Sequence, residues 1–140
     1  MRRLSGWIAV LLLTGCVQSP VKDDSLYRDL GELPGITRIV EGMLLNIAGD
    51  SRIVEHFENV DIERLREKLI EQFCVEAGGP CEYTGDSMAE SHKGQNLTPS
   101  DFNALVEDLQ DAMDTLDVPV RAQNRLLAQL APMRGEVIDQ

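Results

Sequence analysis

Between Gly35 and Ala48 the apolar residues Ile36, Ile39, Val40, Met43, Leu44 and Ile47 recur at spacings of three and four. That period gathers them on one face of a helix and does not fit the alternation of a strand. The same period governs most of the chain that follows, and it commits the fold to helices packed on helices. Gly49-Asp50 ends the first long helix, and a short segment from Ser51 to Phe57 follows. Asp61 then stands as the N-cap of a longer helix with Leu65, Leu69, Ile70, Phe73 and Cys74 on its inner side, stopping at Gly78-Gly79. Thr98-Pro99 is a further start signal: a capping hydroxyl, a proline in the first turn and Asp101 at the positive end of the dipole. Phe102, Leu105, Val106, Leu109 and Met113 supply the stripe of that helix. A last helix from about Pro119 carries Val120, Leu126, Leu127, Leu130 and Val137. Only Gly78 to about Gly85 interrupts the helical pattern, so the expected fold class is all-α.

The N-terminus has a different character. Arg2 and Arg3 precede an apolar run, Ile8 to Leu13, that is short for a bilayer span, and small residues follow. A basic head, an apolar run and a small-residue exit make an export signal. Its last four residues, Leu13-Thr14-Gly15-Cys16, resemble the lipobox of bacterial lipoproteins, in which the cysteine is lipidated and becomes the new N-terminus. An ordinary secretory signal or an uncleaved anchor is the competing reading. The resemblance implies a signal peptide at 1–15, a lipidated tether at 16–24 and a domain at 25–140. Val17 after the cysteine points to the outer membrane, facing the periplasm.

Removing residues 1–15 would leave 125 of the 140 residues, enough for one compact domain. It would also take Arg2 and Arg3 from the 13 basic residues, leaving 11 against 24 acidic ones, a charge of about −13. So acidic a chain has no phosphate-binding footprint, which excludes nucleic acid as a partner. With Cys16 assigned to an anchor, Cys74 and Cys81 remain. An oxidising compartment would let them close a loop around Gly78-Gly79-Pro80, whereas Cys74 alone also reads as a buried apolar residue.

The interrupted interval leads to MAESHKG, where His92 is one of two histidines in the chain. The residues alone leave its role open, since a histidine on a short helix is more often a surface or satisfied core residue. There is no HExxH and no Cys/His set at zinc spacing. If His92 binds a metal, that metal is held mainly by something else. Haem fits, because the porphyrin brings four nitrogens and the protein need supply one imidazole.

From about Ser25 onward the chain resembles a group I truncated haemoglobin, the two-over-two globin sandwich. The residues that carry the resemblance are SLYRDLG at 25–31, Asp50 before a segment ending in Phe57, DIERLREKL leading into GGPCEYTG, then MAESHKG, LTPSDF at 97–102 and LDVPV at 116–120. The resemblance implies haem b (iron protoporphyrin) as cofactor, an extended loop before the proximal histidine, and His92 as the proximal iron ligand. Phe57 would pack on the haem face. Tyr83, Met88, Leu97 and Phe102 would line the proximal side or the haem edge.

Departures from the family concern the opposite face. A phenylalanine-tyrosine pair in the first distal helix is common in the family, and here those positions read Met43-Leu44. A glutamine often assists from the long helix, and here the position is Leu69, with Leu65 one turn earlier. The distal pocket is therefore expected to be apolar, which weakens the hold on a dioxygen ligand that draws negative charge. Lys68 occupies a position from which some members supply a sixth iron ligand; a solvated or propionate-pairing lysine is the competing reading. Gln72, one turn beyond Leu69, is expected either to reach the ligand through water or to open a tunnel. His56 is expected to face solvent.

These readings describe an exported, lipid-anchored haem protein that binds a diatomic gas. Nitric oxide dioxygenation or peroxidase-like turnover is the alternative, and it would need an external electron donor because no GxGxxG fingerprint is present. A haem-free globin-fold interaction module is the third reading.

Overall fold

The computed structural model describes residues 22–138 and 140. The expected leader at 1–15 lies outside the described residues, as does most of the tether, Cys16 included. Among the described residues there is no strand. The helices are α1 (Ser25–Asp29), α2 (Glu32–Gly49), α3 (Ile62–Glu76), α4 (Met88–His92), α5 (Pro99–Thr115), α6 (Val120–Leu130) and α7 (Arg134–Val137). Single 3-10 turns cover Val54–Phe57 and Ala131–Met133.

The main layers are α2 with α3 and α5 with α6: α2 lies on α5, and α3 touches α6. This is a two-over-two sandwich. Its core takes Ile36, Ile39, Val40, Met43 and Ile47 from α2, Phe73 and Cys74 from α3, and Leu109, Ala112, Met113 and Leu126 from the second layer. The α2–α5 approach is close because small residues face each other. A Cβ on Gly42 would stand 3.2 Å from the Cβ of Ala112, so any larger residue at 42 would push the helices apart. Asn46 ties the pair by donating from Nδ2 to the Asp108 carbonyl at 2.9 Å.

Several boundaries differ from expectation for identifiable reasons. α2 starts at Glu32 and not at Gly35, because Pro34 falls in the first turn, where amide hydrogens have no intrahelical acceptor. The last helix does not run on from Pro119 to Val137; it breaks after Leu130, where Pro132 cannot continue the ladder, and Val137 is buried from the separate α7. Val120 leaves the apolar stripe and is 67% exposed. Gln123 is buried in its neighbourhood instead, donating to Asp114 Oδ1 at 2.8 Å and to the Val118 carbonyl at 2.9 Å. It thereby fastens the turn between α5 and α6. No described helix is long and apolar enough to cross a membrane.

Candidate functional site

α3 and α5 start where their caps dictate. Asp61 accepts from the Arg64 amide at 3.0 Å. Thr98 and Asp101 form a reciprocal capping box, with the Thr98 amide donating to Asp101 Oδ2 at 2.8 Å and the Asp101 amide donating back to Thr98 Oγ1 at 3.2 Å. The Thr98 amide, and then the Thr98 hydroxyl at 2.8 Å, both donate to Asp101 Oδ2 and hold its carboxyl below its ordinary range. The caps bring the first turns of both helices to one cavity of about 360 Å³, within the range of small-molecule and cofactor sites.

The cavity collects residues that are far apart in the chain. α3 supplies Leu65, Lys68, Leu69 and Gln72; α4 and its approach supply Tyr83, Met88 and His92; Phe57, Leu97 and Phe102 close the sides, and Met43 contributes from α2. Leu44, expected beside Met43 on the distal wall, does not line it. A helix turns about 100° per residue, so with Met43 pointing inward Leu44 is carried round to pack half-buried against the core. His56 is not solvent-facing. It is half-buried on the cavity wall, with Nε2 3.7 Å from Asp101 Oδ2, an ion pair only when the imidazole is protonated. Ile47, Leu105 and Arg64 also line the cavity. Ile47 and Leu105 were legible as the next members of apolar stripes through Met43 and Phe102. Arg64 carried no such signal.

His92 ends a helix of five residues that would not persist alone. It is held by a Ser87–Glu90 capping box and by packing of α4 on α7. The imidazole Nδ1 lies 2.7 Å from the Met88 carbonyl. A carbonyl only accepts, so Nδ1 carries a proton, and in the neutral ring Nε2 keeps its lone pair. That is the tautomer and orientation a metal-ligating histidine needs.

The extended run from Gly79 to Ser87 is fastened to α3 in two places. Cys74 and Cys81 are joined by a disulfide across Cα atoms 5.9 Å apart. A Cβ on Gly79 would lie 2.7 Å from Cys74 Sγ and 2.5 Å from the Tyr27 ring, so glycine is required where the chain passes the bridge. Further on, Glu71 accepts from the Thr84 amide at 2.9 Å and from its hydroxyl at 3.0 Å. The Thr84 amide foremost, then Lys68 and the Thr84 hydroxyl, pull the Glu71 carboxyl down to about 2. Lys68 joins this cluster, donating to Thr84 Oγ1 at 2.6 Å and Glu71 Oε1 at 3.0 Å, and Glu71 raises its pKa. A sixth ligand would have to be a neutral amine, and this environment keeps Lys68 charged. The Tyr83 hydroxyl donates to the Asp86 carbonyl at 2.8 Å, with burial as the largest influence raising its pKa. Gln72 is 9% exposed, and among the described residues its amide donates only to the sulfurs of Met133 at 3.1 Å and Met88 at 3.5 Å.

The chain matches the bacterial-like globin family over residues 25–139. It is 30% identical over 97 residues to a group 1 truncated haemoglobin of Tetrahymena thermophila, covering 69% of this chain and 80% of that one. A group 1 truncated haemoglobin of Mycolicibacterium paratuberculosis is 28% identical over 113 residues, covering 81% and 83%. The crystal structure of the truncated haemoglobin of Tetrahymena pyriformis in its Fe(III) form superposes with a TM-score of 0.79 at 25% identity, covering 82% of this chain and 98% of that one.

Proposed function

The chain belongs to the bacterial-like globin family, among the group 1 truncated haemoglobins, and we propose that it holds haem b in the cavity between α3 and α4 and binds a diatomic gas there, with His92 as the proximal ligand. The observation that carries this reading is the hydrogen bond from His92 Nδ1 to the Met88 carbonyl, which leaves the Nε2 lone pair free to ligate a metal at the cavity wall.

The other residues fit the same cofactor. Among the described residues no three His, Cys, Asp or Glu side chains are grouped to hold a metal ion, so one imidazole suits a metal that arrives with four nitrogens of its own. Phe57, Leu65, Leu69, Leu97 and Phe102 present apolar surface to a flat macrocycle and keep water out. Arg64 and Lys68 line the same cavity and match the charge of haem propionates. When bound, haem would supply an iron able to take O2, NO or CO, and Met43, Leu65 and Leu69 would present apolar groups to that ligand from the cavity wall. Reduction of the iron falls to an external electron donor.

Export and anchoring through Cys16 belong to the same proposal. The lipobox-like tetrapeptide supports them, and so does a disulfide that suits an oxidising compartment. Titrating the purified apoprotein with haemin tests the central reading: one Soret-absorbing complex per chain is expected, and unchanged absorption would sink it.

A further inference from the structure

We propose that the chain carries a second binding site beside the α2–α5 contact, which takes a primary alkylammonium ion: Asp108 receives the ammonium group and Leu45 its apolar stem. The site is a surface depression of about 410 Å³, lined by Leu45, Asn46 and Asp50 at the end of α2, by Arg52, and by Asp108 and Asp111 on α5. It shares no lining residue with the cavity that holds His92, so the inference stands apart from the haem reading.

Asp108 distinguishes this depression from a group of surface acids. It is 5% exposed, and its Oδ2 has no hydrogen-bond partner among the described residues. A carboxylate so placed is costly, because burial removes its water and nothing replaces it. The arginine on the rim does not serve it: Arg52 gives Nε and Nη2 to Asp50 and Nη1 to Glu107. Three lining carboxylates against one guanidinium leave the depression negative. Burial, and after it Asp50, push the Asp108 carboxyl up, as expected of an acid with no cation against it.

The lining decides which cation fits. Among the described residues no three His, Cys, Asp or Glu side chains are grouped to hold a metal ion, and a calcium ion would want about six to eight oxygens. An ammonium group needs fewer. Its hydrogens can go to Asp108, to Asp111 one turn on, and to Oδ1 of Asn46, whose Nδ2 is already given to the Asp108 carbonyl at 2.9 Å. Leu45 lines the same depression and is 75% exposed. An apolar side chain beside an anionic one suits a cation on a methylene stem, which covers its carbons while the charged end stays hydrogen-bonded. Free diamines and lysine side chains both have this chemistry.

Calorimetric titration of the purified full chain tests the site, with cadaverine as the free amine and N-acetyl-lysine methylamide as the protein-borne one, each against ammonium chloride at equal ionic strength. At least one probe should bind at a single site per chain and more tightly than ammonium chloride, and the tighter of the two identifies the source. Asp108→Asn removes an unpaired charge and should fold; it should weaken binding roughly tenfold or more. Leu45→Ser, at an exposed position, should weaken it about threefold. Both probes no tighter than ammonium chloride, or binding unchanged in Asp108→Asn or in Leu45→Ser, would overturn the inference.

Discussion

Asp108 is the residue least at peace with its surroundings. It is 5% exposed on α5, its Oδ2 has no hydrogen-bond partner among the described residues, and burial raises its pKa above the ordinary 3.8, with Asp50 adding to the effect. An acid with a raised folded-state pKa loses stability as pH rises, because the unfolded chain sheds the proton first. The charged form is thus a penalty at neutral pH. Asp108→Asn should raise stability at pH 7 by about 1 kcal/mol, with the gain shrinking towards pH 4. Thermal melts at the two values check this, and a destabilised variant at pH 7 would mean that the carboxylate has a partner in solution. No sequence pattern announces such a residue, since Asp108 sits where a polar residue is expected beside Leu109. His92 is the opposite case: the sequence shows the imidazole, while the proton position that readies it appears only with the Met88 carbonyl at 2.7 Å.

At the scale of elements, helices were legible wherever stripes and caps agreed. Asp61, Thr98 and Asp101 announced the starts of α3 and α5, and the structure has them capping as the residue types demand. What periodicity could not reveal was how a run without helical period is held. The segment after Gly79 owes its path to Glu71, a residue that reads as an ordinary exposed glutamate yet takes both polar hydrogens of Thr84. A carboxylate whose pKa is depressed to about 2 from the ordinary 4.5 stabilises the fold above the ordinary value, and that contribution fades as pH falls from there to about 2. Glu71→Ala should therefore lower the urea midpoint at neutral pH, and the gap from wild type should close on acidification through that window. A gap that stays constant with pH would mean that the clamp acts through packing and not through charge. Val120 and the broken last helix make the converse point: an apolar stripe says which residues prefer burial, while a proline downstream decides whether the helix lasts long enough to bury them.

At the scale of the molecule, two layers of helices leave a cavity whose lining is drawn from five helices, the 3-10 turn and the linking segments. No local pattern in the sequence assembles such a lining; the family likeness did, by fixing the order of landmarks along the chain. Where the likeness was carried to single side chains it erred at Leu44, because the inward position belongs to its neighbour Met43. The net charge of −11 argues against polyanionic partners for the whole chain. The proposed anchor predicts that the protein takes up labelled palmitate and fractionates with membranes, and that Cys16→Ser does neither; label retained in that variant would remove Cys16 from the account. The central claim is that His92 alone supplies the protein's bond to the iron. The direct measurement is the visible spectrum of the ferrous haem complex in wild type and in His92→Ala, each with and without added imidazole. Wild type should show a histidine-ligated spectrum that imidazole leaves unchanged, and His92→Ala should lose it and regain it with imidazole. An unaltered spectrum in His92→Ala would contradict the account.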